Sequence, residues 1–322
     1  VTNGGYSTVT PKRLLDTREV GQGPCVTGTR DLVVAGGITG VPADAGAVAL
    51  NVTVVTPWTP GFLTVFPKGD PRPLASSLNY EAGSIVANTV YAKVGADASI
   101  SIYANAGCPH VLVDLVGYFD GVRPLAPGGF GPLTPTRILD TREAGQGPCL
   151  TGSRDVQIRG LAGVPESAGS VALNVTAVNP SLPGFLTLWP STDLRPLASS
   201  ANYLAGKVTP NGVTVKIGET GKISIFAQQG CPNIVVDVVG YFEGGDLIGE
   251  TGFVGVAPHR LLDTREAGQG PCVNGVRTLT VTGGTTTIPT NATAISVNLT
   301  AVGASLPGYL TAYPAGGLRP TV

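Results

Sequence analysis

Tandem β-sandwich domains of Greek-key or jelly-roll type, each about 120 residues long and closed by one disulfide, are the fold class this sequence predicts. Three observations carry the prediction. A long motif string returns twice in register, β-branched runs show a two-residue apolar period, and each complete repeat holds one cysteine pair.

The repeat comes first. Leu15-Asp16-Thr17-Arg18-Glu19, followed by Gly21-Gln22-Gly23-Pro24-Cys25, recurs at residues 139–149 and 262–272. The spacing is 124 residues from Asp16 to Asp140 and 123 from Asp140 to Asp263. Those are domain lengths, since solenoid units run about 20–50 residues. Ala49-Leu50-Asn51-Val52-Thr53 matches 172–176 and 296–300, and Pro60-Gly61-Phe62-Leu63-Thr64 matches 183–187 and 307–311. The first two repeats close on Val116-Gly117-Tyr118-Phe119 and Val239-Gly240-Tyr241-Phe242. The predicted boundaries are 1–120, 121–243 and 244–322, with short glycine-containing joints that limit the reach between neighbours. The third repeat stops in register with residues 72–75, so it is expected to continue in cis or to be completed in trans by another copy or a neighbouring repeat. With no Met at position 1, the sequence reads as a processed chain or a fragment.

The strands follow from the alternation. Val48, Leu50, Val52 and Val54 share one face of residues 47–55, while Ala49, Asn51 and Thr53 share the other. Pro60-Gly61 marks a turn, and 62–66 return as a strand. Residues 85–94, 99–104 and 111–119 are further β-branched runs bounded by Gly, Asp and Asn. No sustained helical period competes. Hydrophobic residues make up 42% and charged residues 13%, which supplies a core and excludes a disordered chain despite 46 Gly and 27 Pro.

The net charge of -1 leaves no basic surface to neutralise a phosphate backbone, so nucleic acid is excluded as a partner. The apolar runs are too short to span a bilayer. Cys25 is expected to bond Cys108 and Cys149 to bond Cys231, closing loops of about 83 residues that restrain the unfolded chain by roughly 4 kcal/mol. Such bonds place the protein in an oxidising compartment, secreted, extracellular or on the cell surface. Cys272 has no partner within this sequence. Two thiols per repeat without a repeated His argue against a metal, and no cofactor is expected.

Asp16, Thr17, Arg18 and Glu19 form the sharpest motif. One reading is a recognition loop or calcium site, though six to eight oxygens are more than the string offers. The favoured reading is structural. Asp114 and Asp237 interrupt apolar closing strands and need partners, which Arg18 and Arg142 are expected to supply as bidentate ion pairs. Phe62 and Phe66, Phe185 and Trp189, and Tyr309 and Tyr313 each line one face of a strand. They are core side chains in one reading and a sugar-stacking platform in the other. Asn51, Asn174, Asn291 and Asn298 begin Asn-x-Thr sequons, three of them at one strand position, which favours hydrogen-bonding structural roles over glycosylation. His110 and His259 are the only histidines and neither is repeated. Without a nucleophile elbow, phosphate loop or histidine pair, the sequence predicts no enzyme; two-carboxylate glycoside hydrolysis is the residual possibility.

Taken in order, Pro11-Lys12-Arg13-Leu14-Leu15-Asp16-Thr17-Arg18, the Leu-Asn-Val-Thr strand, Pro-Gly-Phe-Leu-Thr and Val-Asp-Val-Val-Gly-Tyr-Phe resemble repeat units of large secreted and surface-attached proteins of actinobacteria. The resemblance spans the chain and implies export, tandem architecture and accessory or structural duty, with no activity to assign to named residues. The leading expectation is a non-catalytic extracellular stalk, surface-layer or fibre component. The alternatives are a carbohydrate-binding or adhesion module with a cell-wall or extracellular polysaccharide partner, and an accessory region of a larger secreted enzyme.

Overall fold

A computed structural model describes residues 5–121, 127–245, 252–256, 258–284, 286, 288–305, 308 and 310–319. The first repeat contains β1 (Tyr6–Asp16), β2 (Gly28–Val33), β3 (Ala45–Val55), β4 (Gly61–Pro67), β5 (Leu78–Tyr80), β6 (Ile85–Lys93), β7 (Ser99–Ala104) and β8 (His110–Asp120). The second repeats the set as β9 (Phe130–Asp140), β10 (Gly152–Gln157), β11 (Ala168–Val178), β12 (Gly184–Pro190), β13 (Ala201–Tyr203), β14 (Val208–Lys216), β15 (Lys222–Ala227) and β16 (Asn233–Glu243).

Each repeat is a sandwich of two four-stranded antiparallel sheets. The first has orders β1-β8-β3-β6 and β2-β7-β4-β5, and the second has β9-β16-β11-β14 and β10-β15-β12-β13. This is the eight-stranded jelly roll within the predicted class. Val48, Leu50, Val52 and Val54 on β3 meet Leu63, Val65, Ile100 and Ile102 of the facing sheet, all buried in one apolar cluster. Their equivalents Val171, Leu173, Val175, Leu186, Leu188, Ile223 and Ile225 fill the second sandwich. Cys25–Cys108 and Cys149–Cys231 are bonded, each with Cα atoms 5.2 Å apart, and tie the β1–β2 loop to the β7–β8 loop and its counterpart.

Sequence alternation located β3, β4, β6, β7 and β8 but not β1, which carries Pro11, Lys12 and Arg13. β1 is an edge strand, and its register with β8 shifts between Thr8 and Lys12 and again between Arg13 and Leu15. A proline is tolerated at such an irregular edge, and the shifts destroy the two-residue period that marks the other strands.

Every ladder in either sandwich joins a strand of the first half of the repeat to one of the second half: β1 and β3 pair with β8, β3 with β6, β2 and β4 with β7, and β4 with β5. The third repeat's segments align with β1 to β4 alone, so no two of them are neighbours. Accordingly, its described residues form no strand.

Replacing both Cys25 and Cys108 by Ala is expected to lower the unfolding free energy of the first repeat by about 2–4 kcal/mol, read from urea unfolding, while Cys149–Cys231 stays oxidised.

Candidate functional site

The repeated Asp-Thr-Arg string closes the end of β1. Asp16 Oδ1 accepts from the Arg18 backbone N at 3.0 Å and from Arg18 Nε at 2.8 Å, while Oδ2 accepts from Arg18 Nη2 at 2.6 Å. Arg18 is therefore committed to its neighbour and does not reach Asp114. The partner of Asp114 is Arg13, whose Nε and Nη2 donate to its two oxygens at 2.6 and 3.1 Å while Nη1 reaches Asp16 Oδ2 at 3.1 Å. The second repeat agrees: Arg142 binds Asp140, and Arg137 holds Asp237 at 2.8 and 3.2 Å. The expected Arg18–Asp114 and Arg142–Asp237 pairs are thus corrected to Arg13–Asp114 and Arg137–Asp237. The reason is register: Arg13 lies opposite Asp114, and Arg137 opposite Asp237, across the ladder. The third repeat keeps the local half, with Arg265 and Arg260 on Asp263.

The hydrogen bond from Arg18 holds the Asp16 carboxyl at about 2, and Arg142 holds Asp140 below its usual range. Burial pushes Asp237 up, against the opposing hydrogen bond from Arg137. Thr17 completes the closure, its Oγ1 accepting from Val111 N at 3.0 Å and lying 3.1 Å from His110 Nδ1. Asn233 takes the histidine's place beside Thr141. His110 is a fastener of the β1 end in this geometry. His259 and Cys272 are exposed. Among the described residues no group of three or more His, Cys, Asp or Glu could hold a metal.

Phe62 and Phe66, and Phe185 and Trp189, lie on the outer face of the second sheet, opposite the core residues Leu63, Val65, Leu186 and Leu188. Neither expectation describes them fully. They are outside the sandwich core, yet Phe66 and Trp189 are buried. The following loop covers them: Thr64 Oγ1 donates to Ala75 O at 2.9 Å, Trp189 Nε1 to Asp193 O at 3.0 Å, and Arg72 and Arg195 stack on Tyr103 and Phe226. Tyr313 is half-buried, and Tyr309 lies outside the described residues.

The feature that alternation alone did not reveal is the joint between repeats. The outer face of the β9-β16-β11-β14 sheet packs on the β5–β6 edge of the first sandwich. Asn88 Nδ2 donates to Asn174 Oδ1 at 3.0 Å, Asn174 Nδ2 to Ser76 O at 2.5 Å, and Gly212 N to Asn88 Oδ1 at 2.9 Å. A Cβ at Gly212 would collide with the Thr89 carbonyl, so glycine is what lets the two backbones approach. The next joint repeats the latch: Asn211 Nδ2 donates to Asn298 Oδ1 at 3.4 Å, and Asn298 Nδ2 to Ser199 O at 2.9 Å. Asn174 and Asn298 are therefore structural amides, and the sequon reading fails at the buried Asn174.

Beside the latch runs an aromatic column. Tyr6, Phe119, Phe130, Phe242 and Phe253 stack in that order with ring centroids 4.9, 4.2, 4.9 and 4.3 Å apart, alternating within and between repeats. Ala47, Ala49 and Ala172 keep the sheet face low enough for the rings. Gly117 and Gly240 serve the same end, because a Cβ there would strike Tyr6 and Phe130. Tyr91 leans on Phe119 and Phe130 and lines one small cavity with Thr214 and Ser296, so the three repeats meet at one point. The cavity left there is about 70 Å³, well below the ~300 Å³ of small-molecule sites.

No family model and no curated protein matches the chain. Among solved structures it is similar to the N-terminal CBM22-1–CBM22-2 tandem domain of Paenibacillus barcinonensis Xyn10C, at 12% identity over 75% of this chain and 94% of that one. The TM-score is 0.22, too low for that likeness to carry an argument about this chain.

Three outcomes follow from this geometry. Removing Arg13 (Arg13→Met) leaves Asp114 buried and unpaired and is expected to cost about 3 kcal/mol or more, whereas Arg18→Met costs about 1 kcal/mol. A double-mutant cycle should show coupling for Arg13–Asp114 and none for Arg18–Asp114. Because the folded pKa of Asp16 is depressed, its stabilisation is present above the unfolded value of 3.8 and is lost as pH falls through about 2. Asp16→Asn should therefore flatten the acid limb of the stability profile between about pH 4 and 2. At the joint, Phe130→Ala should cost about 3–5 kcal/mol and split a single calorimetric unfolding transition into two.

Proposed function

We propose that the chain is a non-catalytic extracellular structural protein whose repeats stack into a stiff stalk, surface layer or fibre. The observation that carries this reading is the joint: one latch and one aromatic column, built twice from equivalent residues. A flexible tether between independent modules would need neither. The joint is also heterologous, face against edge, which is the geometry of open-ended stacking. The two disulfides fit an oxidising compartment, and among the described residues no helix is long and apolar enough to cross a membrane. The buried Asp–Arg networks act in this reading as staples of β1, not as reactive groups.

Antibody labelling of intact, unpermeabilised producing cells, with fractionation of the medium, tests it. Label on the surface or protein in the medium is expected, and label appearing only after permeabilisation would overturn the proposal.

A second reading, contact with an extracellular polysaccharide, has one observation in its favour: the Trp58 indole, 76% exposed on the β3–β4 loop. Pull-down on insoluble cell-wall polymers should then be reduced about tenfold by Trp58→Ala. Undiminished or absent retention would set that reading aside.

A further inference from the structure

We propose that the outer face of the first repeat's β1-β8-β3-β6 sheet is itself an acceptor, and that its occupant is the uncovered β5–β6-type edge of another repeat of this sequence class. The inference deepens the stacking reading and rests on it.

The two joints define what an acceptor face needs. It must carry an asparagine that gives its amide N–H to a serine carbonyl of the incoming edge and takes one from that edge's own asparagine. An aromatic must stand against the last ring of the preceding repeat, as Phe130 does at the start of β9 and Phe253 does at the equivalent position. The arginine that follows this aromatic in each repeat can add a contact, as Arg260 Nη2 does with Leu197 O at 3.1 Å.

The first repeat has each of these in place. Asn51 stands where Asn174 and Asn298 stand, Thr53 where Thr176 and Thr300 stand, Tyr6 where Phe130 and Phe253 stand, and Arg13 where Arg137 and Arg260 stand. The difference is occupancy. Asn174 and Thr176 are covered, 6% and 3% exposed, whereas Asn51 and Thr53 are half-open. Among the described residues the Asn51 amide has no hydrogen-bond partner. The face is also preformed: Arg13 is already locked to Asp114 and Asp16, and Tyr6 to Phe119.

One position departs from the pattern. Thr89 occupies the place of Gly212, where a Cβ meets the carbonyl of the incoming strand. β6 is an edge strand and can yield, but the fit is poorer. Thr89 is thus the residue that sets how tightly the first repeat accepts a neighbour.

The test uses the full chain, fluorescently labelled, as acceptor. The donor is residues 1–245, which contain every strand of both sandwiches and both disulfides but leave the β13–β14 edge without the Asn298 and Arg260 contacts. Circular dichroism and intact mass check its fold and oxidation. Titration to about 1 mM, the effective concentration of a short tether, should show saturable binding in fluorescence-detected sedimentation. Unlabelled full chain titrated in place of the donor, its own edge covered, should show no binding to the labelled chain. Asn51→Ala in the acceptor should weaken binding at least tenfold, and Thr89→Gly should tighten it about tenfold. Absence of binding to the Thr89→Gly acceptor, or binding indifferent to Asn51→Ala, overturns the proposal. Either result leaves the surface-labelling outcome, and with it the stacking reading, to be judged separately.

Discussion

In this jelly roll every hydrogen-bonded ladder joins the first half of a repeat to the second, and most features of the molecule follow from that constraint. Only the short β4–β5 hairpin and its counterpart β12–β13 join consecutive strands, so neither sheet is complete until the closing strands β7 and β8, or their counterparts β15 and β16, have arrived. Each disulfide lies across the same division, and the entropy it removes from the unfolded chain is that of bringing the two halves together. The third repeat displays the constraint in reverse, carrying four strand sequences with none of their neighbours.

The central position of β8 and β16 also explains the buried carboxylates. Asp114 and Asp237 sit where the ladder presents them to the edge strand, and Arg13 and Arg137 answer from that strand with both oxygens engaged. An ion pair of this kind adds little net stability over an apolar pair, but it penalises every other register of β1. That matters for a strand broken by Pro11 and two register shifts, because alternation of side chains cannot fix its alignment. The flanking Asp16–Arg18 turn then ends the strand, and the same geometry appears in the third repeat without a sandwich around it.

The β-sandwich class and the sheet-forming segments were legible because repetition and a two-residue period are properties of the sequence itself. The cysteine pairs were legible because their contexts repeat. The ion pairs were half legible: Asp114 and Asp237 announced a need for charge, but the choice between Arg13 and Arg18 is a matter of register that spacing does not encode. The aromatic strands misled in a different way, since both faces of β4 and β12 are apolar and the cover comes from a loop that recurs in sequence but has no apolar period. The joint left a signal that alternation did not expose. The second face of β3 and β11 is small and uncharged, and the same asparagine recurs there, as expected of a face that meets another sheet and not water.

Together, the latch and the column make neighbouring repeats one body. Spin labels at the exposed Thr29 and Glu219, in a Cys272→Ser background, would report the distance between the first and second sandwiches by pulsed electron resonance. A single narrow distance distribution, broadened by Phe130→Ala, is the expected result. A broad distribution in the native sequence, unchanged by that substitution, would contradict a fixed joint and with it the stiff stacking of repeats.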